Sequence, residues 1–432
     1  MKKSRTRIGK IQGAEEAIEV QLALPMIEVL AGIEEGFVAL CVEAGRQVLG
    51  AMMERDRERA CGRKGVPNDD RQAVRGGSMR SRITFGGRRI EVKRLRARGC
   101  ETGEIELPSF AWASSDDALN AHTFAAIAAG VANRKYRRSL EALPAHEREH
   151  AVSKSAVSRR FVALSTELIG KWLGRSIAEF DVRAVLIDGL HFRKRCILIA
   201  LGVCADGSKV VLGMREGTTE NAVLTQGLID DLVERGLPSD RAMVFGIDGA
   251  KGLVTAIRNT FGELAIIHRC QVHKVRNVLG YLPQEMAAKV KKAMAEAYSL
   301  TDASVAKRRL EQLANALKSD HPGAAGSLRE AMAETLSLQS LGVTGALYRS
   351  LRTTNAIENL NGSVGTFTRN VKRWRDGEMV VRWVGTALHE AEGRLRRVRG
   401  YKDMPKLIAA LERHEVLVNS SSGNVQRQAQ AA

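Results

Sequence analysis

The sequence predicts an α/β protein with one mixed-sheet core, an all-helical insertion within it, and helical and β-hairpin segments ahead of it. Three observations carry that class. Alternating apolar runs and amphipathic stretches between 183 and 267 follow the order strand-strand-strand-helix-strand-helix-strand. Helical periodicity without strand texture then holds for about 75 residues after Lys274. Upstream, two short alternating runs meet at Gly86-Gly87, the punctuation of a β-hairpin.

Composition bounds the rest. The chain has 432 residues, and a prior of about 150 residues per domain gives roughly three domains. Lys+Arg number 67 against 49 Asp+Glu, a net charge of +18, which points to a polyanionic partner, nucleic acid being the commonest. At 44% hydrophobic the chain can build real cores, which excludes a disordered basic tail. No run approaches the roughly 18 apolar residues of a membrane span. The basic start Met1-Lys2-Lys3-Ser4-Arg5 leads into mixed charge rather than an apolar stretch, so no signal peptide is expected. Cysteines 41, 61, 100, 196, 204 and 270 are sparse and unpatterned, as in a reducing compartment. A soluble, cytoplasmic, nucleoid-associated protein is the expectation.

Residues 1–70 read as an N-terminal helical segment. Leu24, Ile27, Leu30, Ile33, Phe37, Leu40 and Cys41 recur at three- and four-residue steps, and Arg63–Asp70, with Gly65 and Pro67, reads as a linker. Residues 71–112 form a basic hairpin segment: Ser81–Phe85 and Arg88–Lys93 are its strands, the second running on to Arg98 with Arg94, Arg96 and Arg98 on one face. Residues 54–98 hold fifteen Lys/Arg against six Asp/Glu, a net +9, half the excess charge of the chain. Most charge runs are merely solvated faces, but this concentration favours a phosphate-binding arm carrying Arg88, Arg89, Lys93, Arg94, Arg96 and Arg98.

Residues 113–178 are helical with interruptions near Ala132-Asn133, Pro144 and Ala151-Val152. The last helix opens at Ser153–Phe161 and presents Lys154, Ser155, Arg159 and Arg160 in its first two turns. It serves equally well as the recognition helix of a helix-turn-helix-like DNA-binding region or as a plain connector.

Residues 179–276 hold the first part of the core. Its strands are Arg183–Ile187, Phe192–Cys204, Lys209–Met214, Ala242–Ile247 and Leu264–Ile267, with helices Thr219–Arg235 and 250–261 between the later ones. That order matches the ribonuclease H-like topology. Residues 277–350 form the all-helical insertion, with Leu310, Leu313, Leu317, Leu328, Met332 and Leu336 on its inner faces and Pro283 and Pro322 at helix starts. Residues 351–402 return to the core as basic helix. The tail 403–432 ends in a Ser/Gln/Ala-rich stretch, Asn419–Ala432, expected to be disordered.

Asp188 and Asp248 each close a buried strand, where an α/β sheet delivers side chains to one crevice. With Glu358 on a helix whose Thr354, Asn355 and Asn361 make a polar patch, they would give Mg²⁺ the hard oxygen ligands it requires. Two such ions about 3.5–4 Å apart can clamp the attacking and leaving oxygens of a phosphoryl displacement, with Mn²⁺ as a substitute. Asp-Gly is also a turn dipeptide, present at 188–189, 206–207 and 248–249. At 206–207 the hairpin reading wins; at the other two, turn former or helix cap stays open. His268-x-Cys270-x-x-His273 lacks a companion pair for a structural zinc site. A role near the carboxylates competes there with a packed cysteine and a capped histidine. Lys372, Arg373 and Trp374 could stack on and hold an opened DNA end, but such a tryptophan is more often partly buried core, so Trp374 stays open between the two, whereas Trp383 reads as core.

Four motifs occur in order: Val185–Gly189, Gly246-Ile247-Asp248-Gly249-Ala250-Lys251-Gly252, His268–Lys274 and Thr353-Thr354-Asn355-Ala356-Ile357-Glu358-Asn359. Together with the basic segment ending in Glu106-Leu107-Pro108-Ser109-Phe110, they resemble the mutator-type transposases of bacterial insertion sequences over about residues 30–400. The resemblance implies a DDE transposase with a ribonuclease H-like core. Asp188, Asp248 and Glu358 would be its catalytic and metal-binding triad, and Cys270 with His273 its Cys-x-x-His signature. It implies Mg²⁺-dependent cleavage at terminal inverted repeats and joining of the freed 3′-hydroxyl to target DNA, by a homodimer or higher oligomer. The competing readings are a domesticated DNA-binding protein without chemistry and a hydrolytic nuclease of the same fold.

Overall fold

The computed structural model describes residues 37–101, 103–144, 146–192, 194–218 and 221–430. The chain divides into two compact units, Met1–Leu164 and Ser165–Ala432. The positions Leu24, Ile27, Leu30 and Ile33 of the predicted first helix lie outside the described residues.

In the first unit, helix α1 (Phe37–Cys61) and the short helix α2 (Pro108–Ser114) cover one face of an antiparallel hairpin, β1 (Ala73–Phe85) and β2 (Arg88–Gly99). Val42, Leu49 and Met53 of α1 and Phe110 of α2 meet Ile83, Ile90 and Val92 in a dry core. The predicted turn is present: Gly86 and Gly87 take φ of +50° and +81°, values that spare a side chain only at glycine. Tyr136, fully buried, pins that turn by donating to the Gly87 carbonyl at 2.7 Å. The first strand begins about eight residues earlier than the alternation indicated, since β1 continues through a bulge between Arg75 and Ser78, at Gly76-Gly77, whereas the second begins at Arg88 as expected. Two short strands, β3 (Glu104–Ile105) and β4 (Glu149–His150), flank β2.

No helix-turn-helix stands among the described residues of 113–178. Helix α3 (Asp117–Ala128) and helix α4 (Lys154–Leu173) are separated by residues 129–153, which hold a 3₁₀ turn and β4, where that motif needs a turn of three or four residues.

The second unit holds a five-stranded sheet in the order β7-β6-β5-β8-β9. Strands β5 (Val182–Phe192), β6 (Arg195–Cys204) and β7 (Lys209–Gly217) are an antiparallel meander; β8 (Met243–Ile247) and β9 (Ala265–Arg269) run parallel to β5. Parallel neighbours need crossovers, and helices α5 (Ala222–Glu234) and α6 (Lys251–Phe261) supply them. Both pack on one face, where Leu228, Leu232 and Ile257 meet Val185, Ile187, Phe245 and Ile247. Predicted and observed strands differ at one consequential place. The first strand does not stop before Asp188-Gly189; it continues to Phe192, pairing Asp188 with Ile199 of β6, so this Asp-Gly is not a turn.

After β9 come α7 (Gln271–Leu279), α8 (Gln284–Ser299), α9 (Ala303–Leu317), α10 (Pro322–Arg329), and the single turns α11 (Met332–Thr335) and α12 (Ser337–Ser340). They enclose their own core, in which Leu310, Leu317, Leu328, Met332 and Leu336 are buried as the periodicity required and Leu313 is partly buried. Helices α13 (Gly345–Leu351), α14 (Asn355–Thr368), α15 (Gly377–Glu392) and α16 (Met404–Gln430) complete the unit. Leu347, Leu351 and Leu407 cover the sheet face opposite α5 and α6, against Ala184 and Val244. The expected disorder of Asn419–Ala432 is not met as far as Gln430. The stretch continues a helix already nucleated at Met404, and extending a helix costs far less than nucleating one.

Candidate active site

The period of a strand places the acids. In β5, Val185 and Ile187 face α5 and α6, so Ala184, Leu186 and Asp188 face the other side. In β8, Phe245 and Ile247 face the helices, so Val244, Gly246 and, one step past the strand, Asp248 share the face of Asp188. The parallel register Leu186↔Gly246 puts the two aspartates at equal distance beyond the last pair. Asp248 keeps part of the turn role: its Oδ1 accepts from the Ala250 amide at 2.9 Å. Gly249 beside it has φ +102°, and a Cβ there would fall 2.8 Å from Nε of Arg269.

Helix α14 brings the third acid. Glu358 lies in its first turn and accepts from the Thr354 hydroxyl at 3.0 Å. One turn on, Asn361 donates from Nδ2 to Oδ2 of Asp188 at 2.9 Å. Burial above all pushes the Asp188 carboxyl up to about 6; the charges of Asp248 and Glu358 add to the rise, and His273 opposes it. Asp248 and Glu358 therefore lie near enough to Asp188 for their charges to act on it. Among the described residues no three His, Cys, Asp or Glu side chains stand close enough to enclose a metal ion by themselves.

The segment after β9 anchors α14. The Arg352 carbonyl accepts from the Gln271 amide at 3.1 Å and lies 3.2 Å from Nε2 of His268. Burial holds the His268 imidazole down to about 4, so it is neutral and its Nε2–H serves as donor. Cys270, whose amide donates to the Ile247 carbonyl at 2.8 Å, places its sulfur 3.4 Å from the Thr354 hydroxyl. Burial raises the Cys270 thiol, but hydrogen bonding with His273 and Thr354 outweighs it and holds the thiol below its ordinary range. The His273 imidazole is raised in turn, first by Cys270, against burial, and then by the charges of Cys270, Asp188 and Asp248. The His-x-Cys-x-x-His motif thus ties the end of β8 to the start of the Glu358 helix and sets one imidazole toward the acids.

The basic residues divide. Arg88 is 4% exposed and bonds Glu149 at 3.1 Å and the Glu141 carbonyl at 2.5 Å, because even positions 88, 90 and 92 point into the core; it is a structural arginine. Arg89 pairs with Asp116 at 2.8 Å. Arg94 lies over the Phe110 ring and shares Glu104 with Arg96. Lys93 and Arg98 are exposed, as are Lys154, Ser155 and Arg159. Arg160 is half-buried and donates to Thr123 at 2.9 Å, which removes it from the exposed set. Lys372 and Arg373 are exposed on the loop between α14 and α15, and Trp374 rests edge-on against Phe192 at the end of β5, ring centroids 4.8 Å apart. Trp383 packs against Phe367. The sequence placed Thr354 and Asn361 in a polar patch beside Glu358, but not the bonds they make to Glu358 and Asp188, nor the contact of His268 with the Arg352 carbonyl.

The family model for the Mutator family of transposases matches residues 23–397. The chain belongs to that family. It is 24% identical over 335 residues to the transposase of insertion sequence IS256 in transposon Tn4001 from Staphylococcus aureus, covering 74% of this chain and 81% of that protein. It is 26% identical over 376 residues to the transposase of ISRM5 from Rhizobium meliloti, covering 84% and 91%. It is 30% identical over 177 residues to the transposase of IST2 from Acidithiobacillus ferrooxidans, covering 41% and 58%. These Mutator relatives are insertion-sequence transposases by name, which supports transposase function for this member. No helix among its described residues is long and apolar enough to cross a membrane.

Proposed function

We propose that the protein is a DDE transposase that binds the terminal inverted repeats of its element and catalyses Mg²⁺-dependent cleavage and strand transfer of DNA. The single observation that supports this reading is that Asp188 and Asp248 stand at equal register beyond two paired parallel strands, while the helix that carries Glu358 is bonded to Asp188 through Asn361. The strand order β7-β6-β5-β8-β9, with three antiparallel strands followed by two parallel ones, supports a ribonuclease H-like core.

The donor set fits magnesium. Carboxylates are hard oxygen ligands, and burial beside two other acids leaves Asp188 in need of a counter-cation. Mg²⁺ is commonly held by one or two carboxylates plus waters and substrate phosphates, so a complete protein cage is not required. Asp188 and Asp248 would hold it, with Glu358 completing the set. When bound, the metal supplies charge neutralisation at the phosphate and activation of the attacking oxygen. Asn361 fixes one oxygen of Asp188, and Thr354 fixes one of Glu358. Lys93, Arg98, Lys154, Arg159, Lys372 and Arg373, all exposed, are among the cations available to phosphates. Two DNA ends must be held together, which calls for a homodimer or larger assembly.

The test is strand transfer by purified protein on a duplex ending in the element's own inverted repeat, beside Asp188→Asn, Asp248→Asn and Glu358→Gln. Joined product that needs Mg²⁺ and vanishes in all three variants, with DNA binding retained, supports the reading. Cutting without joining would identify a nuclease. Binding with no chemistry, unchanged in the variants, would identify a DNA-binding regulator.

A further inference from the structure

Helix α7 leads from the acidic crevice to a second feature. His273 faces the acids, and residues three, four and seven positions further on, Arg276, Asn277 and Gly280, follow on the same helical face. At 1.5 Å per residue this face carries the chain roughly 10 Å beyond His273. There it borders a groove of about 560 Å³ between α7 and α10.

Three properties of the groove point to one kind of occupant. Tyr281 is 61% exposed, yet its ring is backed on one side: a Cβ on Gly323 of α10 would fall 2.7 Å from its Cδ1, so glycine lets the ring lie on the helix backbone. The other side of the ring is open to the groove, and Gly326, one turn further along α10, has nothing within 4 Å of where its Cβ would stand. The cavity therefore offers a supported aromatic face above a bare glycine floor.

Charge completes the picture. The Arg276 guanidinium is exposed and has no hydrogen-bonded or ion-paired partner among the described residues. The one acid of the lining, Glu330, is already flanked by the buried Lys274, Nζ at 3.7 Å, and by Arg269 at 3.7 Å. Lys274 in turn donates to the Ser327 carbonyl at 2.5 Å, which keeps its ammonium at the groove wall. A site with a stacking face, an unpaired cation and a compensated acid suits a base with its phosphate and repels neither.

We propose that this groove holds an unpaired nucleotide of the DNA strand that runs out of the acidic crevice, with its base stacked on Tyr281 and its phosphate on Arg276. The inference rests on the proposed DNA chemistry of the crevice and adds a subsite to it. Stacking on an aromatic side chain is sequence-tolerant, and each stacked base contributes about 1–3 kcal/mol by alanine substitution, or roughly 5- to 150-fold in affinity. The site would therefore favour an opened DNA end over a closed duplex whatever the base.

The experiment compares two duplexes of the element's terminal repeat, one blunt and one with a short unpaired tail carrying 2-aminopurine. Affinity and probe fluorescence are measured for wild type, Tyr281→Ala, Tyr281→Phe and Arg276→Gln. Wild type is expected to bind the tailed end more tightly and quench the probe. Tyr281→Ala should lose about tenfold for the tailed end and lose the quench, with blunt-duplex affinity unchanged. Tyr281→Phe should behave as wild type, and Arg276→Gln should weaken tailed-end binding with the quench partly kept. Equal affinities for both ends in wild type and Tyr281→Ala, with the repeat still bound, would overturn the subsite and leave the transposase reading standing. Failure of wild type to bind either duplex would overturn both.

Discussion

Asn361 and Asp188 are 173 residues apart in the chain and meet at 2.9 Å, Nδ2 donating to Oδ2. The bond fixes one oxygen of a carboxylate that burial disfavours as an anion. It also locks α14, and with it Glu358, against the central strand. Asn361→Ala should lower single-turnover strand transfer by about 10- to 100-fold, the usual range for a partner that orients a ligand. DNA affinity should stay within about twofold. A variant as fast as wild type would show that the amide orients nothing the reaction uses.

Asp188 also predicts a dependence of stability on pH. Its folded-state pKa is raised from 3.8 to about 6, so between those values the folded state binds the proton more tightly than the unfolded state. Stability from this group is therefore fully present below pH 3.8 and is lost as pH rises through about 6. In metal-free buffer at pH 7, Asp188→Asn should be more stable than wild type by about 1–2 kcal/mol, and the gain should shrink toward pH 4. Urea titrations across that range check the sign; a less stable variant at pH 7 would contradict it.

The arginines of the hairpin should separate by burial. Arg88→Ala removes a buried guanidinium from Glu149 and should destabilise the first unit by about 2–4 kcal/mol. Lys93→Ala and Arg98→Ala should leave stability within about 0.5 kcal/mol and instead weaken DNA binding, each lowering the salt slope by about one. Thermal melts alongside binding at several salt concentrations distinguish the two classes.

Gly249 holds the turn after Asp248 at φ +102° with Arg269 against it. Gly249→Ala should cost about 1–3 kcal/mol through backbone strain and displace Asp248, lowering strand transfer more than DNA binding. A variant with normal melting and normal joining rate would show that the turn tolerates a side chain.

Much of this site was legible because strands have period two. Val185 and Ile187, with Phe245 and Ile247, mark the helix-facing side, and counting one residue on sets both aspartates on the other side. The same count would have turned Arg88 inward with Ile90 and Val92, although its neighbour Arg89 is chemically identical. The end of β5 was misplaced because Asp-Gly usually marks a turn, and only pairing with Ile199 of β6 keeps the strand going. The bond from His268 to the Arg352 carbonyl joins residues 84 apart through a backbone atom, which no side-chain pattern records. The support of Tyr281 by Gly323 was hidden for a similar reason, since the signal is a missing side chain on another helix.

The central claim is that Asp188, Asp248 and Glu358 act together as one metal site on DNA. Mn²⁺ titration of the protein bound to its terminal repeat, read by electron paramagnetic resonance, tests it most directly. The account predicts saturable Mn²⁺ binding in wild type, weakened at least about tenfold in Asp188→Asn, Asp248→Asn and Glu358→Gln, at unchanged DNA affinity. Equal Mn²⁺ binding in wild type and all three variants would contradict it.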